Sequence, residues 1–161
     1  MKIFLISLTV LIMTGGAVFL GLGCMSKSGP PIGLLNGRLT RCPAKANCVC
    51  SEEKENSDHY ITPISIAGET ALDPVAMMAG VIVEMGGVVD TQTDAYLSAT
   101  FSSRLFGFVD DFEIRINPDQ QTMHLRSASR VGYSDFGVNR KRVEFIRDLF
   151  SGRLKFSGRP K

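Results

Sequence analysis

The residues with the clearest capacity for chemistry lie at positions 126–143, in the sequence RSASRVGYSDFGVNRKRV. Three consecutive basic residues stand where the pattern predicts the start of a helix, although a helix N-terminus already carries partial positive charge. Free backbone N–H groups at a helix start, flanked by guanidinium and hydroxyl groups, can bind an anion. We therefore predict a site for an anionic small molecule or a lipid headgroup. Its residues are Arg126, Ser127, Ser129, Arg130, Tyr133, Arg140, Lys141 and Arg142.

The same basic residues could instead stabilise the fold through a network of ion pairs. Strict alternation places Asp110 on the apolar side of the strand-like segment LFGFVDDFEIRI, where a carboxylate needs a partner. Its candidate partners are Arg104 and Arg126, and such a pair could be scaffold or could hold an arginine for a ligand. The network in this alternative comprises Arg104, Arg126, Arg130 and Arg142 with Asp110, Asp111, Glu113 and Asp135.

Signatures of catalysis are nearly absent from the sequence. Its two histidines, His59 and His124, stand in no metal-binding spacing and beside no nucleophile motif. A catalytic Ser–His–Asp set can be composed from Ser127 or Ser129 with His124 and Asp110. Alternation, however, puts His124 on the face of its strand opposite to the two serines. We predict no catalytic residues and no cofactor, and a hydrolase is the least favoured function.

An uncharged apolar run at residues 3–23 determines the predicted compartment, since it is long enough to cross a bilayer as a helix. It is compatible with a cleaved secretory signal, a retained anchor, or a lipoprotein signal that leaves a lipid on Cys24. Gly23 before Cys24 fits a bacterial lipobox, whereas Leu20 and Leu22 are each one place from the expected position. All three alternatives predict an exported, membrane-associated domain, on the periplasmic side of the inner or outer membrane.

We predict a single domain at residues 42–150, because this part of the chain is long enough to form one hydrophobic core. Residues 24–41, with Pro30 and Pro31, are predicted to be a flexible tether, and residues 151–161 a disordered basic tail. Residues 126–161 carry ten Lys and Arg against three Asp and Glu, whereas acidic residues dominate residues 52–119. This polarity argues against a nucleic-acid binder and favours a local anion site or an anionic membrane.

The cysteines outside the apolar run lie in the segment CPAKANCVC. A Cys42–Cys48 disulfide across a turn is sterically reasonable and would persist in an oxidising compartment. Cys50 is then left for an intermolecular bridge or a free thiol. The alternative, a metal site of these three cysteines with His59, matches no common zinc spacing, so we predict no metal.

The periodicity predicts an α+β domain with an antiparallel sheet of about four to five strands covered by two helices. One helix has Asp73 as N-cap, Pro74 at its first position and Gly86 after its end. The second helix covers residues 138–150. The predicted strands cover residues 60–66, 88–91, 95–103, 105–116 and 121–130.

The segments CPAKANCVCS, FSSRLFGFVDDFEI and LRSASRVGYSDFGVNRKRVEFIR resemble the family catalogued as domain of unknown function 1499, found in bacteria and plastids. The resemblance spans residues 33–150. It implies an uncharacterised domain that often follows a signal or membrane segment and is often described as a lipoprotein. It supplies no catalytic residues. The family usually has serine at the position of Cys50, which supports pairing of Cys42 with Cys48.

Together these patterns predict a membrane-tethered envelope domain that binds an anionic small molecule or lipid headgroup. The membrane is the one partner that the sequence indicates, through the apolar run or a lipid on Cys24. The first alternative is a structural or protein-interaction module of the envelope, in which the charged residues form an internal salt-bridge network.

Overall fold

A computed structural model describes residues 2–67 and 73–157 of the chain, which form three helices and eight strands. In chain order the elements are α1 (Lys2–Ser26), β1 (Leu34–Leu35), β2 (Arg38–Leu39), β3 (Cys48–Cys50), β4 (Ile64–Ser65), α2 (Pro74–Glu84), β5 (Val88–Gln92), β6 (Tyr96–Ser102), β7 (Val109–Asn117), β8 (Thr122–Ser129) and α3 (Val138–Ser157).

Six of the strands form one antiparallel sheet with the order β3-β8-β7-β6-β5. Strand β4 pairs with β8 beside β3, and β1 and β2 form a separate two-stranded hairpin. The prediction of an α+β domain is confirmed, with a sheet slightly larger than expected. Strands β5 to β8 follow one another as a meander, so each pairs with its neighbour in sequence.

Helix α2 begins and ends where its sequence signals predict. The Asp73 carboxylate accepts hydrogen bonds from the backbone N–H groups of Val75 and Ala76, at 2.9 and 3.1 Å, and Pro74 occupies the first turn, where no N–H is needed. After the helix, Gly86 adopts a φ of 80°, a conformation that glycine tolerates without strain.

The hydrophobic core lies between the two later helices and one face of the sheet. Alternate residues of the strands supply the sheet side, and the apolar faces of α2 and α3 cover them. The completely buried members include Met78 and Ile82 of α2, Leu97 of β6, Phe112 and Ile114 of β7, Leu125 of β8, and Ile146 and Phe150 of α3. Each such side chain contributes about 1.5–3 kcal/mol relative to an exposed position.

The other face of the sheet is also covered, although the alternation suggested a wetter surface there. Glu113 of β7 is completely buried, because the chain before β3 packs over it. The Gly33 N–H donates to Glu113 Oε1 at 3.0 Å, and the Leu39 N–H donates to Glu52 Oε2 at 2.7 Å. The segment predicted to be a flexible tether therefore contains a hairpin held by buried carboxylates.

Helix α3 differs from the prediction at its C-terminal end. It continues through Ser157, seven residues beyond the expected boundary at Phe150. Residues 151–157 of the predicted disordered tail are therefore helical, and residues 158–161 lie outside the described part of the chain.

The last turns of α1 contact the loop between β6 and β7. The Phe19 ring stacks on Phe106 with centroids 5.2 Å apart, and Ser26 Oγ accepts a hydrogen bond from the Val109 N–H at 3.0 Å. Gly23 makes the close approach possible, since a Cβ atom there would lie 1.9 Å from the Phe106 carbonyl oxygen. This contact places the apolar helix at one edge of the sheet.

Candidate anion site

The residues predicted to bind an anion lie on two faces of the sheet and do not form one cluster. By strand alternation, Ser127 and Ser129 of β8 face the helices, where Asn139 of α3 bonds both hydroxyls. Arg126 of the same strand, together with Arg130 just beyond its end, lies on the opposite side, where each makes an ion pair with a carboxylate of β7. The sheet therefore separates the predicted site into two parts.

The free N–H groups at the start of α3 are already bound by a carboxylate of the chain itself, that of Asp135. Asp135 accepts hydrogen bonds from the backbone N–H groups of Gly137 and Asn139, at 3.0 and 2.6 Å. This carboxylate compensates the partial positive charge of the helix end. Arg140 turns away to donate to the carbonyl oxygens of Tyr60 and Asp58, and Lys141 is exposed.

Arg142 is the partner of Asp110, in place of the two candidates that the sequence suggested. Its guanidinium donates to Asp110 Oδ2 at 2.7 Å and to Asn139 Oδ1 at 2.7 Å, and it lies 4.7 Å from the centroid of the Phe101 ring. Asp110 is the second residue of β7 and lies on the side of the sheet that faces the helices, so its partner cation comes from α3. Arg104 is exposed in the β6–β7 loop and has no ion pair within the described residues.

Two buried ion pairs occupy the opposite face. Arg126 donates to Glu113 Oε2 at 2.8 Å, and Arg130 lies 2.8 Å from Asp111 Oδ1. The Tyr96 hydroxyl donates to the other oxygen of Glu113 at 2.7 Å. Burial, and then this hydrogen bond, raise the pKa of Tyr96, so the phenol remains a donor throughout the physiological range.

A cavity of about 410 Å³ opens beside these pairs, between the end of α1 and the start of β3. We call it the junction cavity. Four cationic side chains line it, against one carboxylate, that of Asp111. The cations are Arg41, Lys45, Arg126 and Arg130. Arg41 and Lys45 are exposed and have no ion pair among the residues of known placement, so the cavity has a local excess of positive charge.

Two buried polar atoms of residues that line the junction cavity have no hydrogen-bond partner within the described chain. They are Nε of Arg126, whose side chain is 3% exposed, and Oδ1 of Asn47. An unpartnered buried polar atom costs about 1–3 kcal/mol unless a solvent molecule or ligand satisfies it. The residues around the cavity therefore include one donor and one acceptor that no other described group satisfies.

Arg41, Lys45 and Asn47 were not predicted as site residues, because they lie before β3, between 83 and 89 residues before Arg130. No periodicity connects the two regions, which are brought together by the pairing of β3 with β8 and by the bridge between Ala46 and Ser134. The basic residues beside the predicted disulfide were the one available signal.

The serine–histidine set composed from the sequence is not assembled. His124 lies on the face of β8 opposite to Ser127, as alternation predicted, and its Nδ1 is 3.1 Å from Oγ of Ser51. Ser51 is itself completely buried and accepts a hydrogen bond from the Leu125 N–H. Burial lowers the pKa of His124, which favours the neutral form of the ring.

The cysteines form the predicted disulfide between Cys42 and Cys48. Cys50 is a free, completely buried thiol, and burial raises its pKa to about 11. Within the described ranges, no group of three or more His, Cys, Asp or Glu side chains is arranged to hold a metal ion. Cys24 is exposed at the end of α1.

An α+β domain with a buried polar sheet face, joined to an apolar N-terminal helix, is the class of protein that these features define. Residues 38–150 match the family described as protein of unknown function (DUF1499), and the chain belongs to this family. A comparison with curated proteins finds no match. Helix α1 is long and apolar enough to cross a membrane, as both signal sequences and membrane anchors are.

Proposed function

We propose that this protein is an exported domain, tethered to the periplasmic side of a bacterial membrane, that binds an anionic group in the junction cavity. The tether is α1 itself or a lipid on Cys24. The bound group is a phosphate or carboxylate, carried by a lipid headgroup or by a soluble small molecule. The excess of cations around the cavity is the observation that carries the proposal.

The geometry supports a different set of ligand groups from the one that the sequence suggested. Arg126 and Arg130 remain in the proposed site, and Arg41 and Lys45 join them. Ser129 also lines the cavity, but its hydroxyl accepts a hydrogen bond from Asn139 on the helix side of the sheet. Arg140, Lys141 and Arg142 do not line the cavity. The two exposed cations are the adaptable part of the site, whereas the Arg126 and Arg130 guanidinium groups are held in place by Glu113 and Asp111.

The position of the cavity favours a lipid headgroup as the source of the anion. Met25, the residue after Cys24, lines it, so the cavity lies where a membrane-embedded α1 or a lipidated Cys24 meets the domain. Attraction of cations to anionic lipids contributes about 1 kcal/mol per basic residue near the surface.

The test is calorimetric titration of the full-length protein in detergent micelles, with inorganic phosphate in one arm and a short-chain phosphatidylglycerol in the other. Joint replacement Arg41→Ala and Lys45→Ala is expected to weaken binding about tenfold, if each exposed cation contributes about 0.7 kcal/mol. The matched control, Lys54→Ala with Lys141→Ala, removes the same charge from exposed positions outside the cavity.

Binding of phosphatidylglycerol alone would identify the headgroup as the ligand, whereas equal binding of phosphate would indicate a soluble anion. An equal loss in both double variants would mean that net charge, and not the cavity, attracts the anion. No heat of binding in either arm would overturn the proposal.

A structural module is the second candidate, and the buried ion pairs favour it. Three of the four arginines in this alternative, Arg126, Arg130 and Arg142, each pair with a carboxylate of β7, whereas Arg104 has no ion pair among the described residues. In that case the same pairs stabilise the fold, and the joint replacement of Arg41 and Lys45 changes no binding.

A further inference from the structure

From the exposed apolar residues at one edge of the sheet, we infer that this edge itself inserts into the interface of the lipid bilayer. The inference rests on the membrane tether of the proposed function and is independent of anion binding in the junction cavity. We call this edge the junction edge. It comprises residues 85–88, the β6–β7 loop at residues 103–108, and residues 130–138 between β8 and α3.

The strand register places these segments together. Val88 pairs with Thr100 near the end of β6, Ser102 pairs with Val109 at the start of β7, and Asp110 pairs with Ser129 at the end of β8. The loops that precede β5, join β6 to β7 and follow β8 therefore lie at one edge of the sheet.

Large apolar side chains are unusually exposed along the junction edge. Phe136 is 91% exposed, Leu105 is 77% exposed and Tyr133 is 71% exposed, and Val88 and Val138 are also exposed in these segments. Exposed apolar groups that lie close together mark interaction sites in soluble domains. At the opposite edge, residues 93–95 and 118–121 contain none of the exposed large apolar side chains, and they carry the exposed carboxylates of Asp94 and Asp119.

The backbone at Phe136 supports a functional reason for this exposure. The residue adopts a φ of 55°, which is rare for a bulky side chain, between Asp135 and Gly137 at the cap of α3. The strained conformation of Phe136 holds its ring in solvent, where the ring does not pack in the core. This indicates a role in binding rather than in stabilising the fold.

Continuity with α1 identifies the occupant as a bilayer. Phe106 and Phe108 of the β6–β7 loop pack against Phe19, which lies four residues before Gly23, the last residue of the apolar run. At 1.5 Å per residue, this is about 6 Å into the apolar part of the helix. When α1 occupies the membrane, the loop therefore reaches the depth at which interfacial segments are buried, about 5–10 Å.

The same orientation follows if the chain is cleaved and Cys24 carries a lipid. Ser26, two residues after that position, accepts a hydrogen bond from the Val109 N–H, so acyl chains on Cys24 would emerge close to the start of β7 and the β6–β7 loop. Arg104 is exposed in that loop, and Arg41 and Lys45 are exposed at the nearby junction cavity. These cations can bind anionic headgroups, while the carboxylates of Asp94 and Asp119 lie at the opposite edge of the sheet, away from the bilayer.

The absence of tryptophan from the chain makes the insertion measurable. The variants Leu105→Trp and Phe136→Trp each introduce a single fluorophore into the uncleaved, full-length protein. The protein is reconstituted in nanodiscs of phosphatidylcholine and phosphatidylglycerol with brominated acyl chains, which quench tryptophan only within the bilayer. We expect emission from both variants to fall to less than half of its value in unbrominated nanodiscs.

Two control variants separate the inference from the tether. Leu11→Trp lies within α1 and is quenched if the helix spans the bilayer, and Gln120→Trp lies at the far edge and is expected to retain its emission. Quenching of Leu11→Trp without quenching at positions 105 and 136 would overturn the inference and leave the tether intact. Blue-shifted but unquenched emission at those positions would indicate a protein contact and would also overturn it. Unquenched Leu11→Trp would reject tether and insertion together.

Discussion

Arg126 and Glu113 form an ion pair at 2.8 Å across strands β8 and β7, with side chains only 3% and 0% exposed. The second carboxylate oxygen accepts hydrogen bonds from the Tyr96 hydroxyl of β6 and from the Gly33 N–H, at 2.7 and 3.0 Å. One buried carboxylate therefore joins three strands of the sheet to the segment that covers them. The two charges of the ion pair are held away from water, whereas Tyr96 and Gly33 are half-buried.

Removal of this carboxylate is expected to be strongly destabilising. Glu113→Ala leaves the Arg126 guanidinium buried without a counter-charge, which costs about 3–5 kcal/mol of unfolding free energy. The measurement is urea unfolding of the full-length protein in micelles. The control, Glu144→Ala on the exposed surface of α3, is expected to change stability by less than about 0.5 kcal/mol. A loss below 1 kcal/mol in Glu113→Ala would show that water or another group satisfies Arg126.

The cap of α3 gives a second prediction. Asp135→Ala removes the acceptor for the Gly137 and Asn139 N–H groups and is expected to lower stability by about 1–2 kcal/mol. Asp135→Asn retains an acceptor oxygen, so we expect it to recover part of the loss in thermal unfolding. Asp148→Ala, an exposed aspartate on the same helix, is the control. Equal effects of Asp135→Ala and Asp148→Ala would mean that the cap contributes little.

The reactivity of the free thiols provides a third prediction. Burial raises the pKa of Cys50 to about 11, so at pH 8 the reactive thiolate is scarce as well as inaccessible. We expect iodoacetamide to modify Cys24 and not Cys50 in the native, uncleaved chain, and to modify both after denaturation, as read by mass spectrometry. Comparable native rates, or a dimer linked through Cys50, would show that this region opens.

The same thiol makes stability depend on pH in the alkaline range. Its pKa is raised from 9.0 to about 11 on folding, so the folded protein retains a proton that the unfolded chain loses first. The stabilisation from the neutral thiol is complete below pH 9 and is lost as the pH rises towards 11. Cys50→Ser, whose hydroxyl does not titrate in this range, is expected to flatten this part of the stability curve in urea unfolding. An unchanged slope would assign the pH dependence to other groups.

The contact between α1 and the β6–β7 loop gives a fifth prediction. Gly23→Leu places atoms where the Phe106 carbonyl now lies and is expected to separate the helix end from the loop. The Val109 N–H, which donates to Ser26 Oγ, should then exchange with deuterium at least tenfold faster. Gly21→Leu is a matched control, because a side chain there meets open space. Unchanged exchange in Gly23→Leu would show that this hydrogen bond does not depend on close packing.

Local signals in the sequence were sufficient for α2, for the start of α3 and for strands β5 to β8, but not for β1, β2 and β3. Asp73 and Pro74 correctly predicted the start of α2. In β7, the alternation of apolar and acidic residues at positions 111–114 correctly predicted which side chains lie on each face of the sheet. These signals work because a cap or a pleat depends on residues that are neighbours in the chain.

Partnerships between distant segments could not be predicted in the same way. Alternation showed which side of β7 Glu113 occupies, but it carries no information on what covers that side. The covering hairpin has two residues in each strand, too few for any periodicity to be visible. Asp110 was likewise placed on the correct face, whereas its partner, Arg142, comes from a helix 32 residues later. Several arginines carry the same charge, and only the three-dimensional arrangement of the elements determines which of them lies next to Asp110.

The strand order has a consequence for the time course of synthesis. Strand β3 is made before the rest of the main sheet, yet it pairs only with β8, the last strand to emerge from the ribosome. The meander of β5 to β8 can assemble from neighbouring segments as they appear, but β3 and β4 stay without a sheet partner until residues 122–129 have been added. The earliest strand of the sheet is therefore unpaired for most of synthesis, and the sheet is completed only when its last strand is present.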